Sequence, residues 1–368
     1  DKMQHHLCPK TFPPIPRDIV SDRNSESVVV IGAGVSGLFA ALSLQKMGIK
    51  NLAVLEASGN FGGRLRAAPD AFSDAVEGCP FDVGAEWIHS SDGMRVLQSM
   101  MEGFYDNDGT KVDKTELMPY KPTIYFRSRK SRILTSLYKE TKFKSSTWYH
   151  WLEENVYAKV KQYVEVNRPV KNVVYHDGAK KIKVVLADGE EREADRVICT
   201  VPLAILKESV EGRSLQFDPP LSDRMTAAIR SIDMPPGFRV LFRMKEKFYQ
   251  DMSIDGTFLG TLLNTDDVTI IYDAALGKDQ LGAKQNILGY VAIGHKPAGE
   301  LSRLESTELG AAVLRRIDEH FEGKGSANII GEPVVQNWAA EPYICGSYSF
   351  PGSAKHRLEL SKPLAGGR

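Results

Sequence analysis

Gly32, Gly34 and Gly37, followed by Glu56, are the residues of this chain whose types and spacing most directly specify a chemistry. The glycines spell G-x-G-x-x-G on the end of the apolar run Val28-Val29-Val30-Ile31. Gly32 permits a tight turn, Gly34 lets the backbone approach a pyrophosphate, and Gly37 lets a helix pack closely on the strand. The helix N-terminus then faces the phosphates with its unpaired N–H groups and the positive end of its dipole. Glu56 lies nineteen residues beyond Gly37, where a carboxylate accepts the hydroxyls of an adenosine ribose. This pattern points to dinucleotide binding.

These residues require a strand–turn–helix–strand frame. Leu38 to Met47 reads as the helix, Gly48 ends it, and Leu52-Ala53-Val54-Leu55 is a second buried strand running into Glu56. Ala57 to Arg66 then brings a second glycine pair, Gly62-Gly63, with Arg64 and Arg66 as cations able to neutralise phosphate. Phe81-Asp82-Val83-Gly84-Ala85-Glu86-Trp87-Ile88-His89 follows.

On Glu56-Ala57 through Gly63-Arg64 and on Gly84 to His89, the chain resembles the flavin-containing amine oxidases: monoamine oxidases, polyamine oxidases and lysine-specific histone demethylases. The resemblance implies that Glu56, Gly63 and Arg64 continue a site for FAD rather than NAD, and that Gly84, Ala85, Glu86 and Trp87 lie against the flavin. It continues through Arg196 to Leu203, like a second crossing of the FAD domain, and through Phe217 to Leu221, like the start of a substrate domain. Asn337 to Ser349 resembles the stretch that builds the re face of the flavin pocket, and Val170 would offer its backbone to the adenine.

The fold implied is α/β, with a Rossmann-type, glutathione-reductase-like FAD domain and an amine oxidase-like substrate domain of mixed sheet plus helices. The expected FAD domain is 26–90, 165–210 and 346–368, the substrate domain is 91–164 and 211–345, and 1–25 is an extended arm. Relatives run on into F-F-A-G-E and a flavin-holding helix, which implies a continuation past Arg368. That strand is expected beside Val28–Ile31, which would otherwise present a bare apolar edge.

An amine oxidase removes a hydride equivalent from the carbon next to nitrogen, and its cofactor carries the redox chemistry. By resemblance, Trp338 and Tyr348 are aromatic walls for the amine, a ring face attracting an ammonium within ~6 Å. The family lysine beside flavin N5 falls on Arg239 when its pattern is laid on Gly237 to Tyr249. Arginine stays protonated and presents a planar fork, so it cannot act as a base. Ser347 stands where some relatives attach flavin through cysteine, and period-two alternation would put Cys345 on the same strand face. Noncovalent FAD follows.

The leading function is oxidation of a primary or secondary amine or polyamine by oxygen, with imine and hydrogen peroxide as products. A second is a catalytically altered flavoprotein serving as a subunit of a larger assembly. A third is an amino-acid oxidase whose substrate carboxylate meets Arg239.

Composition fits a soluble, intracellular protein. Of 368 residues 42% are hydrophobic, and no apolar run approaches the ~20 that a membrane span needs. Lys plus Arg and Asp plus Glu both number 47, so no bulk charge draws the chain to nucleic acid. The four cysteines are scattered without C-x-x-C, giving neither a metal site nor a disulfide framework. Gly93 to Gly103 reads as a short helix and the basic stretch Arg127 to Lys144 as a solvated loop. Ser146 is placed to cap a helix Thr147 to Val164 with Trp148, Trp151, Leu152 and Val156 on its core face. Val170 to Thr200 reads as a meander turning at Asp177-Gly178 and Asp188-Gly189, and Ser306 and Gly323 bound an amphipathic helix.

Overall fold

The structure is a computed structural model and describes residues 25–74, 79–89, 117–120, 123–126, 140–176, 178–249, 259–262, 268–275, 278, 286–350 and 352–364. The expected helix at 93–103 and most of the basic stretch lie outside them. The chain divides into two compact units. A parallel-sheet unit falls within Ile15–Leu65, Leu152–Pro236 and Trp338–Arg368; an antiparallel-sheet unit falls within Arg66–Trp151 and Gly237–Asn337. These limits place 66–90 in the antiparallel-sheet unit and 211–236 in the other, unlike the expected domain lines. Contacts account for both: Ile88 pairs with Thr141 and the Arg66 guanidinium donates to Gln336 at 3.0 Å, while the strand Gln216–Asp218 runs beside Asn172 to Val174.

In the parallel-sheet unit, β1 (Ser27–Ile31) is buried at every position, α1 (Val35–Lys46) follows the glycine turn, and β2 (Asn51–Leu55) leads to Glu56. Gly48, at φ 87°, ends the helix as expected. The all-parallel sheet has the order Arg196–Cys199, β1, β2, Val164–Glu165. The expectation of a bare β1 edge is therefore corrected: Arg196 lies opposite Val28 and Cys199 opposite Ile31.

The meander comprises Val170–Val174, Ile182–Leu186 and Glu191–Ala194. Its expected last strand instead leaves to join the parallel sheet. Gly178 and Gly189 turn it with φ of 81° and 90°, the left-handed backbone that those hairpins need. Val29, Ile31 and Leu55 pack with Val173, Val184 and Leu186 in one core, each such side chain contributing ~1.5–3 kcal/mol on burial.

The antiparallel-sheet unit is built on the order Val268–Asp273, Ile287–Ile293, Gly237–Arg243, Val334–Asn337. Ile287–Ile293 is buried throughout, as a central strand covered on both faces must be. Helix Ser306–Phe321 ends one residue before Gly323, at Glu322 in left-handed backbone, and Ser306 is its first residue rather than its cap.

The expected helix from Thr147 forms as Trp148–Leu152, a π turn Glu153–Tyr157, a short α turn Ala158–Val160 and a 3-10 turn Lys161–Tyr163. Val164 instead starts a strand against β2. The four core-face residues are buried as expected. The cap is Thr147, whose hydroxyl accepts from the His150 N–H at 3.1 Å, not Ser146. The Asp82 carboxyl also accepts from the Trp148 N–H, at 3.1 Å.

Candidate functional site

Gly32, Gly34, Gly37, Glu56 and Gly63 converge in the parallel-sheet unit. Gly32 has φ 102°, and its N–H donates to the Leu55 carbonyl at 2.8 Å, locking the turn between β1 and β2. A Cβ on Gly37 would lie 1.9 Å from the Gly32 carbonyl oxygen, so no side chain fits there. Gly34 bridges Gly62, and a Cβ on Gly63 would stand 3.2 Å from the Gly34 Cα. Gly34 is also the N-cap of α1 and brings no capping side chain, leaving the first-turn N–H groups with no side-chain acceptor from the cap. An uncapped helix end with glycine backbone around it fits an anionic pyrophosphate.

Glu56 is buried at the end of β2. Its Oε2 accepts from the Ala33 N–H at 2.7 Å, while Oε1 accepts from the Ser58 N–H and hydroxyl, both at 2.8 Å. Two oxygens offer about four lone-pair positions, so one remains on Oε2. The Ser58 hydroxyl also lies 2.8 Å from the Asn60 carbonyl, and turning to it frees a second position on Oε1. The carboxylate can thus take both ribose hydroxyls. These observations fit FAD.

Elsewhere in this unit, Arg64 is exposed as a residue while its Nη1 donates to the Ser347 carbonyl, bringing it next to Tyr348. Tyr348 is 47% exposed and Trp338 is 7% exposed. Val170 is half-buried, opposite Leu186 just before a bulge. The shared strand face expected for Cys345 and Ser347 is corrected: 345–348 form no strand. Cys345 takes a left-handed φ of 55°, and the Ser347 hydroxyl donates to the Pro235 carbonyl at 2.9 Å.

Gly84, Ala85, Glu86, Trp87 and Arg239 belong to the antiparallel-sheet unit. Gly84 donates its N–H to the Arg66 carbonyl, and Ala85 leads to the carboxylate of Glu86, on which the cluster converges. Arg239 is 3% exposed, and its Nη1 donates to Glu86 Oε2 at 3.0 Å and to the Asp82 carbonyl at 2.9 Å. The Tyr272 hydroxyl donates to the same Glu86 oxygen at 2.7 Å, and Lys142 Nζ lies 3.4 Å from Oε1. The guanidinium also sits over the Trp87 and Tyr272 rings, at 5.1 and 5.7 Å from their centroids. Lys142, expected in a solvated loop, is 1% exposed. Asp82, Lys142, Tyr272 and Ser58 were missed as site residues; for Tyr272 a signal existed in its place on an apolar strand.

Burial, and next the Glu86 charge, pushes the Asp82 carboxyl up to about 8, although Lys278 and Arg239 pull the other way. The folded protein thus holds a proton that the unfolded chain, with its ordinary value of 3.8, has released at neutral pH. Stability should fall as pH rises through that window, by up to ~1.4 kcal/mol per pH unit from this group, and level off above it. Asp82→Asn removes the titration. The thermal midpoint of the variant, relative to wild type, is expected to rise between pH 6 and pH 8 (about two units of the window); a constant difference would mean that Asp82 is ionised throughout.

The chain matches the family described as flavin containing amine oxidoreductase over residues 128–366, and the NAD(P)-binding Rossmann-like domain over residues 30–104. A probable polyamine oxidase 4 of Arabidopsis thaliana is 23% identical over 405 residues, covering 88% of this chain and 77% of the relative. A lysine-specific histone demethylase 1B of Mus musculus is 25% identical over 190 residues, covering 51% and 21%. Among solved structures, wild-type putrescine oxidase bound to putrescine superposes with a TM-score of 0.62 at 16% identity, covering 92% of each chain. That likeness is one of fold.

Proposed function

The chain belongs to the flavin-containing amine oxidoreductase family, and from that premise we propose that it oxidises a primary or secondary amine or polyamine, R–CH₂–NHR′, with O₂ to R–CH=NR′ and H₂O₂. FAD is the cofactor, held noncovalently. The observation that carries the reading is the glycine turn at the uncapped end of α1 together with the lone-pair capacity of Glu56.

When bound, FAD would supply the two-electron redox chemistry between the amine and oxygen. The chain's own residues bind and orient. The α1 N-terminus and Arg64 offset phosphate charge, and Glu56 fixes the ribose. Gly84, Ala85, Glu86 and Trp87 form the wall assigned to the flavin, Val170 presents backbone to adenine, and Trp338 and the open Tyr348 ring receive the amine. Arg239, always protonated, supplies fixed charge and takes no proton.

One observation favours the altered-flavoprotein reading: the Arg239 guanidinium is already engaged by Glu86 and the Asp82 carbonyl. The same contact disfavours an amino-acid oxidase, because a protein carboxylate occupies the arginine. Anaerobic mixing of the flavin-loaded protein with a panel of primary, secondary and polyamines decides. Bleaching of the visible flavin band by one class supports the oxidase, whereas an unbleached, acid-releasable flavin supports the binding subunit. Flavin that stays with acid-precipitated polypeptide overturns the noncovalent assignment.

A further inference from the structure

The backbone around Glu56 is held from the side. Its N–H donates to the Glu165 carbonyl at 2.8 Å, its carbonyl accepts from the Arg168 N–H at 2.8 Å, and the Asn167 N–H donates to the Ser58 carbonyl at 2.9 Å. Residues 165–168 therefore form the wall behind the loop that carries the ribose-binding acid. Asn167 takes a left-handed φ of 57°, which fixes the bend of that wall.

The charges on this wall are answered by the meander hairpin. Arg192 grips Glu165 with both terminal nitrogens, at 2.5 and 2.7 Å, and turns its Nε to Glu190 at 2.7 Å. Arg168 donates to Asp188 at 2.8 Å and to the other oxygen of Glu190. Glu190 is thus shared between the two arginines, and the Ala187 N–H adds a bond to the Pro169 carbonyl at 2.9 Å. Hydrogen bonding by Arg192 holds the Glu165 carboxyl below the ordinary range. Isolated surface pairs contribute little, but a network with a bidentate arginine is the exception.

We propose that Arg192, through Glu165 and with Glu190 and Arg168, is a positioning residue for the adenosine end of the cofactor: it latches the hairpin onto 165–168 and so fixes the aim of the Glu56 carboxylate. None of the four side chains needs to touch the cofactor. The inference rests on the reading that Glu56 holds the ribose.

Titrating the apoprotein with FAD, followed by flavin fluorescence, tests it. Arg192→Gln and Glu165→Gln should each weaken FAD about tenfold at low salt and flatten the salt dependence that wild type shows between about 50 and 500 mM KCl. Arg192→Lys should recover only part, because lysine cannot make the fork. Arg213→Gln, which breaks a two-bonded pair with Glu208 elsewhere in the unit, should leave the affinity unchanged.

The decisive readout is the double variant. If Arg192 acts by aiming Glu56, Arg192→Gln should cost nothing further once Glu56→Ala is present; additive losses would mean a general structural role and overturn the proposal. Glu56→Ala with unchanged FAD affinity would defeat the ribose reading itself. A loss with Glu56→Ala but none with Arg192→Gln or Glu165→Gln would defeat this inference alone.

Discussion

Glu86→Ala is expected to lower the thermal midpoint of the flavin-loaded protein by roughly 10 °C, the equivalent of the ~3–5 kcal/mol lost when one member of a buried ion pair is removed. Arg239 is almost wholly excluded from water and would keep its charge without the carboxylate it touches at 3.0 Å, and the equally buried Lys142 would lose its contact with the same carboxylate. The Tyr272 hydroxyl would lose its acceptor as well. The cost is that of stranded charge rather than of missing volume, and this can be measured. Glu86→Leu combined with Arg239→Met should recover a large part of the loss, since an apolar pair of similar size carries no desolvation penalty. A Glu86→Ala protein as stable as wild type, or a double variant no better than the single, would show that the cluster is not what holds this part of the sheet.

The second large effect is expected at Gly37. A Cβ there would stand 1.9 Å from the Gly32 carbonyl oxygen and 3.0 Å from the Thr200 hydroxyl, and both belong to a fixed turn. The Thr200 hydroxyl donates to the Ile31 carbonyl at 2.8 Å, and the Gly32 N–H is tied to Leu55. The turn can admit Gly37→Ala only by moving α1 away from β1, which takes the helix end off the phosphates. FAD affinity should fall at least about a hundredfold, ~2.7 kcal/mol. Gly212→Ala is the matching control: its φ of 76° makes the substitution strained, but nothing lies within 4 Å, so stability should drop by ~1 kcal/mol with the FAD affinity retained. Equal FAD affinities for Gly37→Ala and wild type would remove the glycine turn from the cofactor site.

What the sequence determined by itself lies within short spans. The strand from Ser27, the glycine turn, α1 and β2 ending on Glu56 are legible because each depends on neighbours a few residues away: apolar runs, residues tolerant of unusual φ, and a fixed step from helix to acid. The hairpin glycines at 178 and 189 were readable for the same reason.

The tertiary structure alone decided the partners. Glu86 meets Arg239 across 153 positions and Tyr272 across 186, and Asp82 supports the Trp148 helix across 66. Nothing in the residues around Lys142 distinguishes a buried lysine from a solvated one; burial depends on which strands lie over it, and the carboxylate beside it, that of Glu86, comes from elsewhere in the chain. The neighbour that covers β1 and the turn that separates Cys345 from Ser347 were equally hidden. Backbone propensity is set locally, whereas charge compensation and strand order are set by packing between segments whose separation in sequence carries no periodic signal.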